Sequence, residues 1–339
     1  MGAAILGPST LAAALALALI GSATGAAPGP AAPGKGSPLS VMSYNVEGLP
    51  EPARFGRAGP LTAIGTRLAE LRREQREPNV VLLQEAFATP AKLIAREGGY
   101  RYVASGPSAA SVNDAPAPPQ AASFLADASH LKGEDDGKWV DSGLRILSEY
   151  PIVGVRRLAF PVWDCAGYDC LANKGAVIAW IAVPGSPRPV AFIDTHLNSR
   201  AASGVAKARA DIAYAYQVSA LRNFISANVP PDAAAFLGGD FNSGKASARW
   251  ADLHGGLLTR SRNSLLDAMV GKNLIPTIAQ DDAQEILGRG KDWLFYRGNS
   301  SARVTLTGFD VPFGNDNGPM LSDHMGYEAH YNLRPAMRS

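Results

Sequence analysis

The sequence predicts an α/β sandwich: two largely antiparallel sheets packed face to face, with helices outside. Three observations predict it. Apolar runs of strand length recur along the chain, some joined by tight turns and others by stretches of helical spacing, so hairpins mix with helical crossovers. Polar and ionisable residues stand repeatedly at the ends of those runs. Apolar residues make up 46% of the 339 and charged residues 18%, which supports a sizeable core and excludes global disorder.

Residues 1–34 carry no charged side chain, and Leu11–Ile20 is an unbroken apolar run followed by small residues up to Ala27. This reads as a signal peptide over 1–27, cut near Ala26 or Ala27, and implies a secreted or periplasmic protein. A retained anchor is the competing reading, for which the run is short. Residues 28–38, rich in Pro, Gly and Ala, read as a flexible linker. With no internal repeat, one domain over 39–334 remains.

Leu39–Val46 alternates and is rich in β-formers, which predicts the first strand, with Asn45 near its end. Leu61, Ile64, Leu68 and Leu71 predict a helix from Leu61 to Arg76, stopped by Pro78. Val80–Leu83 is a buried strand with Gln84 and Glu85 at its exit, and Ala91–Arg96 a short helix. Gly106–Gln120, rich in Pro, Ala and Ser, is a long loop or lid. Arg145–Ser148 and Pro151–Phe160 read as strands. The loop Trp163–Lys174 carries both cysteines, Cys165 and Cys170, which read either as a local disulfide or as two free thiols. Ala176–Val183 and Val190–Asp194 form a hairpin, with His196 at its exit. Val205–Ile225 is helical, with Ile212, Tyr216, Leu221 and Ile225 near one face. Ala233–Phe236 is a strand leading into Gly238-Gly239-Asp240-Phe241-Asn242, and Ala246–Leu266 is mixed. Lys291–Tyr296 is a strand with Asp292 at its entrance, Arg303–Phe309 another, and Met325–Tyr331 the last, preceded by Asp323 and His324.

Asn45, Glu85, His196, Asp240, Asn242, Asp292, Asp323 and His324 thus all sit at strand ends. Each alone reads blandly, as a cap, a turn or a satisfied histidine. Together they cost desolvation unless one polar cleft gathers them. They also form a coherent set: oxygen ligands for a divalent ion, amide and imidazole groups for a phosphate, and an acid to orient an imidazole. The net charge of +2 advertises no polyanion-binding surface, although Arg200, Lys207 and Arg209 cluster after His196.

The ordered segments Ser43-Tyr44-Asn45, Gln84-Glu85, Ser142-Gly143-Leu144, Thr195-His196-Leu197, Gly239-Asp240-Phe241-Asn242, Asp292-Trp293 and Ser322-Asp323-His324 resemble the endonuclease/exonuclease/phosphatase superfamily. The resemblance implies its DNase I-like fold, a four-layer α/β sandwich. Within it, Asp169–Gly175, Asn45–Pro50 and Asp141–Pro151 are similar to neutral sphingomyelinases. The resemblance implies Mg²⁺, or Mn²⁺ or another divalent ion, held by Glu85 with Asn45 nearby and Asp323 as a further ligand. It implies His324 as general base oriented by Asp292, His196 and Asn242 on the phosphate, Asp240 positioning the water or His196, and Lys174 adding positive charge. The leading expectation is a sphingomyelinase-like phosphodiesterase acting on a phospholipid head group at a membrane surface. A DNase-type enzyme acting on nucleic acid, a phosphomonoesterase and a catalytically dead binding module on the same scaffold are the alternatives.

Overall fold

A computed structural model describes residues 1–2, 36–254 and 256–335. The signal-peptide reading and nearly all of the linker reading lie outside the described residues. Two sheets of six strands each face one another, and the expected four-layer, DNase I-like α/β sandwich is what the chain forms. Its elements are β1 (Ser37–Asn45), α1 (Ala58–Arg73), β2 (Val80–Gln84), α2 (Thr89–Glu97), β3 (Tyr102–Ser105), α3 (Ala122–Ala126), β4 (Arg145–Ser148), β5 (Ile152–Ala159), β6 (Gly175–Ile181), β7 (Val190–His196), α4 (Lys207–Asn228), β8 (Ala235–Asp240), α5 (Ser247–His254), β9 (Arg262–Asn263), α6 (Ser264–Val270), α7 (Gln280–Arg289), β10 (Asp292–Arg297), β11 (Ala302–Phe313) and β12 (Gly326–Pro335). The strand orders are β11-β12-β1-β2-β4-β3 and β5-β6-β7-β8-β10-β9.

Each sheet has one parallel pair at its centre. β1 and β2 are joined through α1, β7 and β8 through α4, and all other neighbours are antiparallel. A parallel pair needs a crossover, which is why the two long helical segments fall where they do. Side chains two apart on a strand share a face. Val41, Val80 and Leu82 enter the core between the sheets, while Met42, Tyr44, Val81 and Leu83 pack under α1 against Leu61, Ile64, Leu68 and Leu71. By the same alternation Asn45 and Gln84 face the opposite sheet, and Gln84 Nε2 donates to Asp194 Oδ1 of β7 at 2.7 Å. Gly238 lets the sheets close in, because a Cβ there would lie 2.6 Å from Leu82 Cδ1 of the other sheet.

Several boundaries differ from expectation. β1 begins at Ser37, inside the predicted linker. α1 ends at Arg73 rather than Arg76, since Gln75 takes a φ of +57° that no helix continues. The buried face of α4 is Ala210, Ala213, Tyr214, Gln217, Val218, Leu221 and Ile225, leaving Ile212 exposed. Polar contacts turn that helix: Gln217 Oε1 accepts from the Asn198 amide at 2.8 Å, and Tyr214 lies under the Arg249 guanidinium. The mixed region 246–266 resolves into α5, β9 and the start of α6, which Asn263 caps by accepting from Leu266 N at 3.0 Å. Cys165 and Cys170 form a disulfide.

Candidate active site

The cleft grows from the inter-sheet faces at one end of the sandwich. His196 is opposite Asp240 in the β7–β8 ladder, and Asp240 is opposite Asp292 in the β8–β10 ladder. Three adjacent strands therefore present an imidazole and two carboxylates in one row. Gly239 makes the middle of the row possible: it takes a φ of +145°, and a Cβ there would lie 2.0 Å from the Thr195 carbonyl oxygen.

The other sheet supplies Asn45 and Glu85. Glu85 turns out of β2 with a φ of +57°, uncommon for a side chain of its size. The Ser142-Gly143 turn makes room for it. Ala86 N donates to the Gly143 carbonyl at 2.8 Å, and a Cβ on Gly143 would lie 3.0 Å from Glu85 Cα. Asn45 Nδ2 donates to Glu85 Oε1 at 2.9 Å and to Asp240 Oδ2 at 3.1 Å, joining the two sheets' acids. Its Oδ1 accepts from the Glu47 amide at 3.1 Å. In this orientation Asn45 stands beside Glu85 with its amide nitrogen turned to both carboxylates and holds them in place.

His196 is buried, and two donors face its Nε2: Lys174 Nζ at 3.2 Å and Asn242 Nδ2 at 3.1 Å. Asn242, with φ +48°, is fixed by donating Nδ2 to the Leu197 carbonyl at 3.0 Å. Burial, with the Lys174 charge beside it, pushes the His196 imidazole well below its ordinary value. Lys174 is itself buried and donates to Asp169 Oδ2 at 3.0 Å and to the Leu197 carbonyl at 3.0 Å. Asp169 also accepts from the Ser199 amide. The Cys165–Cys170 disulfide closes the turn on which Asp169 stands.

His324 is the opposite case. Its Nδ1 meets both oxygens of Asp292, at 2.8 and 3.0 Å, which makes Nδ1 the donor. Burial opposes the charged ring, but Asp292 and Asp240, with Asp323 adding to them, outweigh it and raise His324 to about 9. Ser322 fastens the segment by donating Oγ to the Asn45 carbonyl at 2.7 Å.

Glu85, His196 and Asp240 form one cluster of potential metal ligands, and Asp240, Asp292 and His324 another. Burial lifts Glu85 to about 7 against the help of Asn45 and Lys174, with Asp240 adding to the rise. Two carboxylates crowded in a buried cleft call for a cation, and hard oxygen donors suit Mg²⁺, so the residues present fit such an ion. Asp323 joins neither cluster. It is exposed, and its amide donates to Glu47 Oε2 at 3.3 Å. Asp169 carried no expected role; the signal for it is its place five residues before Lys174 in the same loop.

Fold and cleft together define a DNase I-like sandwich with an acid–imidazole site at the end where the sheets meet. A family model described as Endonuclease/Exonuclease/phosphatase family matches residues 42–324, and the chain belongs to that family. Its members are hydrolases of phosphodiester bonds. No curated protein sequence matches. Among solved structures, the Staphylococcus aureus beta toxin is similar at a TM-score of 0.53 and 20% identity, over 86% of this chain and 99% of that one. Sphingomyelinase C from Streptomyces griseocarneus is similar at 0.53 and 20%, over 89% and 100%. D. rerio TDP2 complexed with a single-strand DNA product is similar at 0.55 and 16%, over 87% and 99%. A mutant of the S. aureus toxin carries bound magnesium ions. At such identities these likenesses show the shared fold.

Proposed function

We propose that the chain is an exported, Mg²⁺-dependent phosphodiesterase that hydrolyses a phospholipid head group in the manner of a sphingomyelinase. The observation that carries the lipid reading over nucleic acid concerns the basic residues after His196. Arg200 Nε pairs with Asp211 Oδ1 at 2.6 Å and Arg209 Nε with Glu134 Oε1 at 2.8 Å, so two of the three basic charges are neutralised within the fold and Lys207 alone of them stays exposed. A nucleic-acid groove needs such charges turned toward phosphates. Lys174 instead points inward, with its Nζ 3.2 Å from His196 Nε2. The leader-like N-terminus and the disulfide support export.

In this reading Asn242 Nδ2 and Lys174 Nζ hold the phosphoryl oxygens, with His196 between them. The neutral form of the His324 ring takes a proton at Nε2 from the attacking water, while Asp292 keeps that ring in the Nδ1–H tautomer and stabilises the imidazolium that forms. The His196 side of the cleft faces the departing oxygen, which leaves as the alkoxide and takes its proton from solvent, while the His324 imidazolium returns its proton to solvent to complete the cycle. Glu85 and Asp240 would hold the divalent ion, which when bound neutralises the phosphate and stabilises the leaving oxygen.

Purified protein incubated with sphingomyelin vesicles, plasmid DNA and p-nitrophenyl phosphate, each with Mg²⁺ and with EDTA, tests this. Phosphocholine release that EDTA stops is the expected result. DNA nicking alone, or release of p-nitrophenol alone, overturns the lipid reading, and turnover indifferent to EDTA overturns the metal.

A further inference from the structure

Arg249 lies outside every motif discussed above, yet it is 1% exposed and among the largest fully buried side chains. A buried guanidinium is costly unless its donors are used. Here Nη1 donates to the carbonyls of Asn198 at 2.7 Å and Asn242 at 2.9 Å, and Nη2 to the Ala210 carbonyl at 3.0 Å. Nε donates to Asp211 Oδ1 at 2.6 Å, and the guanidinium lies 4.3 Å from the Tyr214 ring centroid. One nitrogen thus ties the loop after β7 to the loop after β8. Those loops carry the Leu197 carbonyl that anchors Lys174 and the Asn242 amide that faces His196.

The geometry points to Arg249 as a positioning residue for phosphate binding. It acts through Asn242 and the 197–198 turn and does not touch the substrate. Asn242 stands at a φ of +48°, and the bond to its carbonyl fixes the peptide that leaves it. Lysine cannot replace this clasp: an ammonium lacks the planar fork that reaches three carbonyls and a carboxylate at once, and it does not stack on tyrosine in the same way. The inference rests on the reading that Asn242 grips the phosphate, and holds for whichever ester is cleaved.

The test is a double-mutant cycle of Arg249→Lys and Asn242→Ala, assayed on whichever ester the parent hydrolyses. Arg249→Lys is expected to lower kcat by about 10- to 100-fold with KM little changed, the loss expected for a catalytic group displaced by about an ångström. In the Asn242→Ala background the same change should cost clearly less, because the part of the loss that runs through Asn242 is already gone while the part that runs through the 197–198 turn remains. Parental kcat in Arg249→Lys, or an equal loss in both backgrounds, overturns the inference. Asp211→Ala, which removes the anchor at Nε, enters the same cycle if Arg249→Lys fails to fold, with a smaller loss and the same non-additivity expected. Amide hydrogen exchange reads the clasp without any substrate. Leu197, Asn198 and Asn242 should exchange faster in Arg249→Lys while β1 keeps its protection, and unchanged protection at those three amides overturns the inference. A parent inactive on sphingomyelin would overturn the proposed substrate and leave this exchange result to judge Arg249.

Discussion

His196 and His324 share one cleft and one neighbour, yet they differ in charge. Asp240 Oδ2 lies 3.6 Å from His196 Nε2 and 3.7 Å from His324 Nε2. The difference lies in the remaining partners. His196 meets two donors at Nε2, and its buried Nδ1 has no hydrogen-bond partner among the described residues. His324 meets a carboxylate at Nδ1. One ring is therefore kept neutral and the other is drawn toward the imidazolium. Two residues of equal intrinsic chemistry receive different tasks from what stands on their far side. Removing the His324 ring, or the Glu85 carboxylate that shares the cleft, breaks the comparison most directly. His324→Ala and Glu85→Ala should each abolish measurable turnover, a loss on the order of 10²–10⁴-fold or more, with far-UV circular dichroism unchanged. Near-parental activity in either purified variant would sink the assignment.

The next largest effect comes from changing what His196 faces. Lys174→Met removes the charge and one of the two donors at Nε2. Turnover should fall by about 10²-fold, the scale of losing one stabilising donor in a closed site. The His196 pKa should rise toward its ordinary value, because a nearby positive charge that disfavoured protonation is gone. Proton NMR of the imidazole ring in metal-free protein reads this separately from activity. A His196 titration that does not move would show that burial alone holds the ring neutral.

Asp292→Asn makes the two histidines more alike. His324 should then titrate below about 9 in EDTA. In the parent, Mg²⁺ should also lower that value, since a cation beside Asp240 opposes the rise. The stability consequence has a definite sign. The folded pKa is raised above the ordinary ~6.5, so the folded state binds the His324 proton more tightly. That stabilisation is fully present below about pH 6.5 and fades as pH climbs through about 9. Asp292→Asn should therefore lower Tm more at pH 6 than at pH 9.5 in metal-free thermal melts. An equal loss at both pH values would assign Asp292 a role independent of the ring's charge.

Much of this arrangement is legible in the sequence, because strand periodicity is local. Asn45, Glu85, His196, Asp240, Asp292 and His324 mark strand ends by residue type alone, and the ladders then bring them together. Long-range matters were harder to read. The orientation of Asn45 depends on the Glu47 amide and on carboxylates 40 and 195 residues away. The buried face of α4 is set by Arg249 and Asn198, polar partners that an apolar-periodicity reading passes over. β3 leaves little trace in the sequence because it is a short strand with one buried residue, Ala104. α7 does carry helix signals, with Asp281 and Asp282 in its first turn, Arg289 in its last and Gly290 at its C-terminus, which the strand-centred expectation does not include.

The smallest expected effect concerns the support behind Lys174. The ammonium is held by Asp169, and Asp169 stands on a turn closed by Cys165 and Cys170. The same turn is held from outside by the Trp139 amide, which donates to the Leu171 carbonyl at 2.7 Å, and by Lys138 Nζ, which donates to the Cys170 carbonyl at 3.0 Å. Asp169 also accepts from the Ser199 amide. With those ties in place, replacing both cysteines by alanine should leave the turn folded. A loop this short gives a chain-entropy contribution of about 2 kcal/mol, so Tm should fall by a few degrees for a domain of this size. Turnover should fall only a fewfold, far less than in Lys174→Met, because the charge remains and only its placement loosens. A loss in the double alanine variant equal to that of Lys174→Met would mean that the disulfide, and not the hydrogen bonds around Asp169, positions the lysine that keeps His196 neutral.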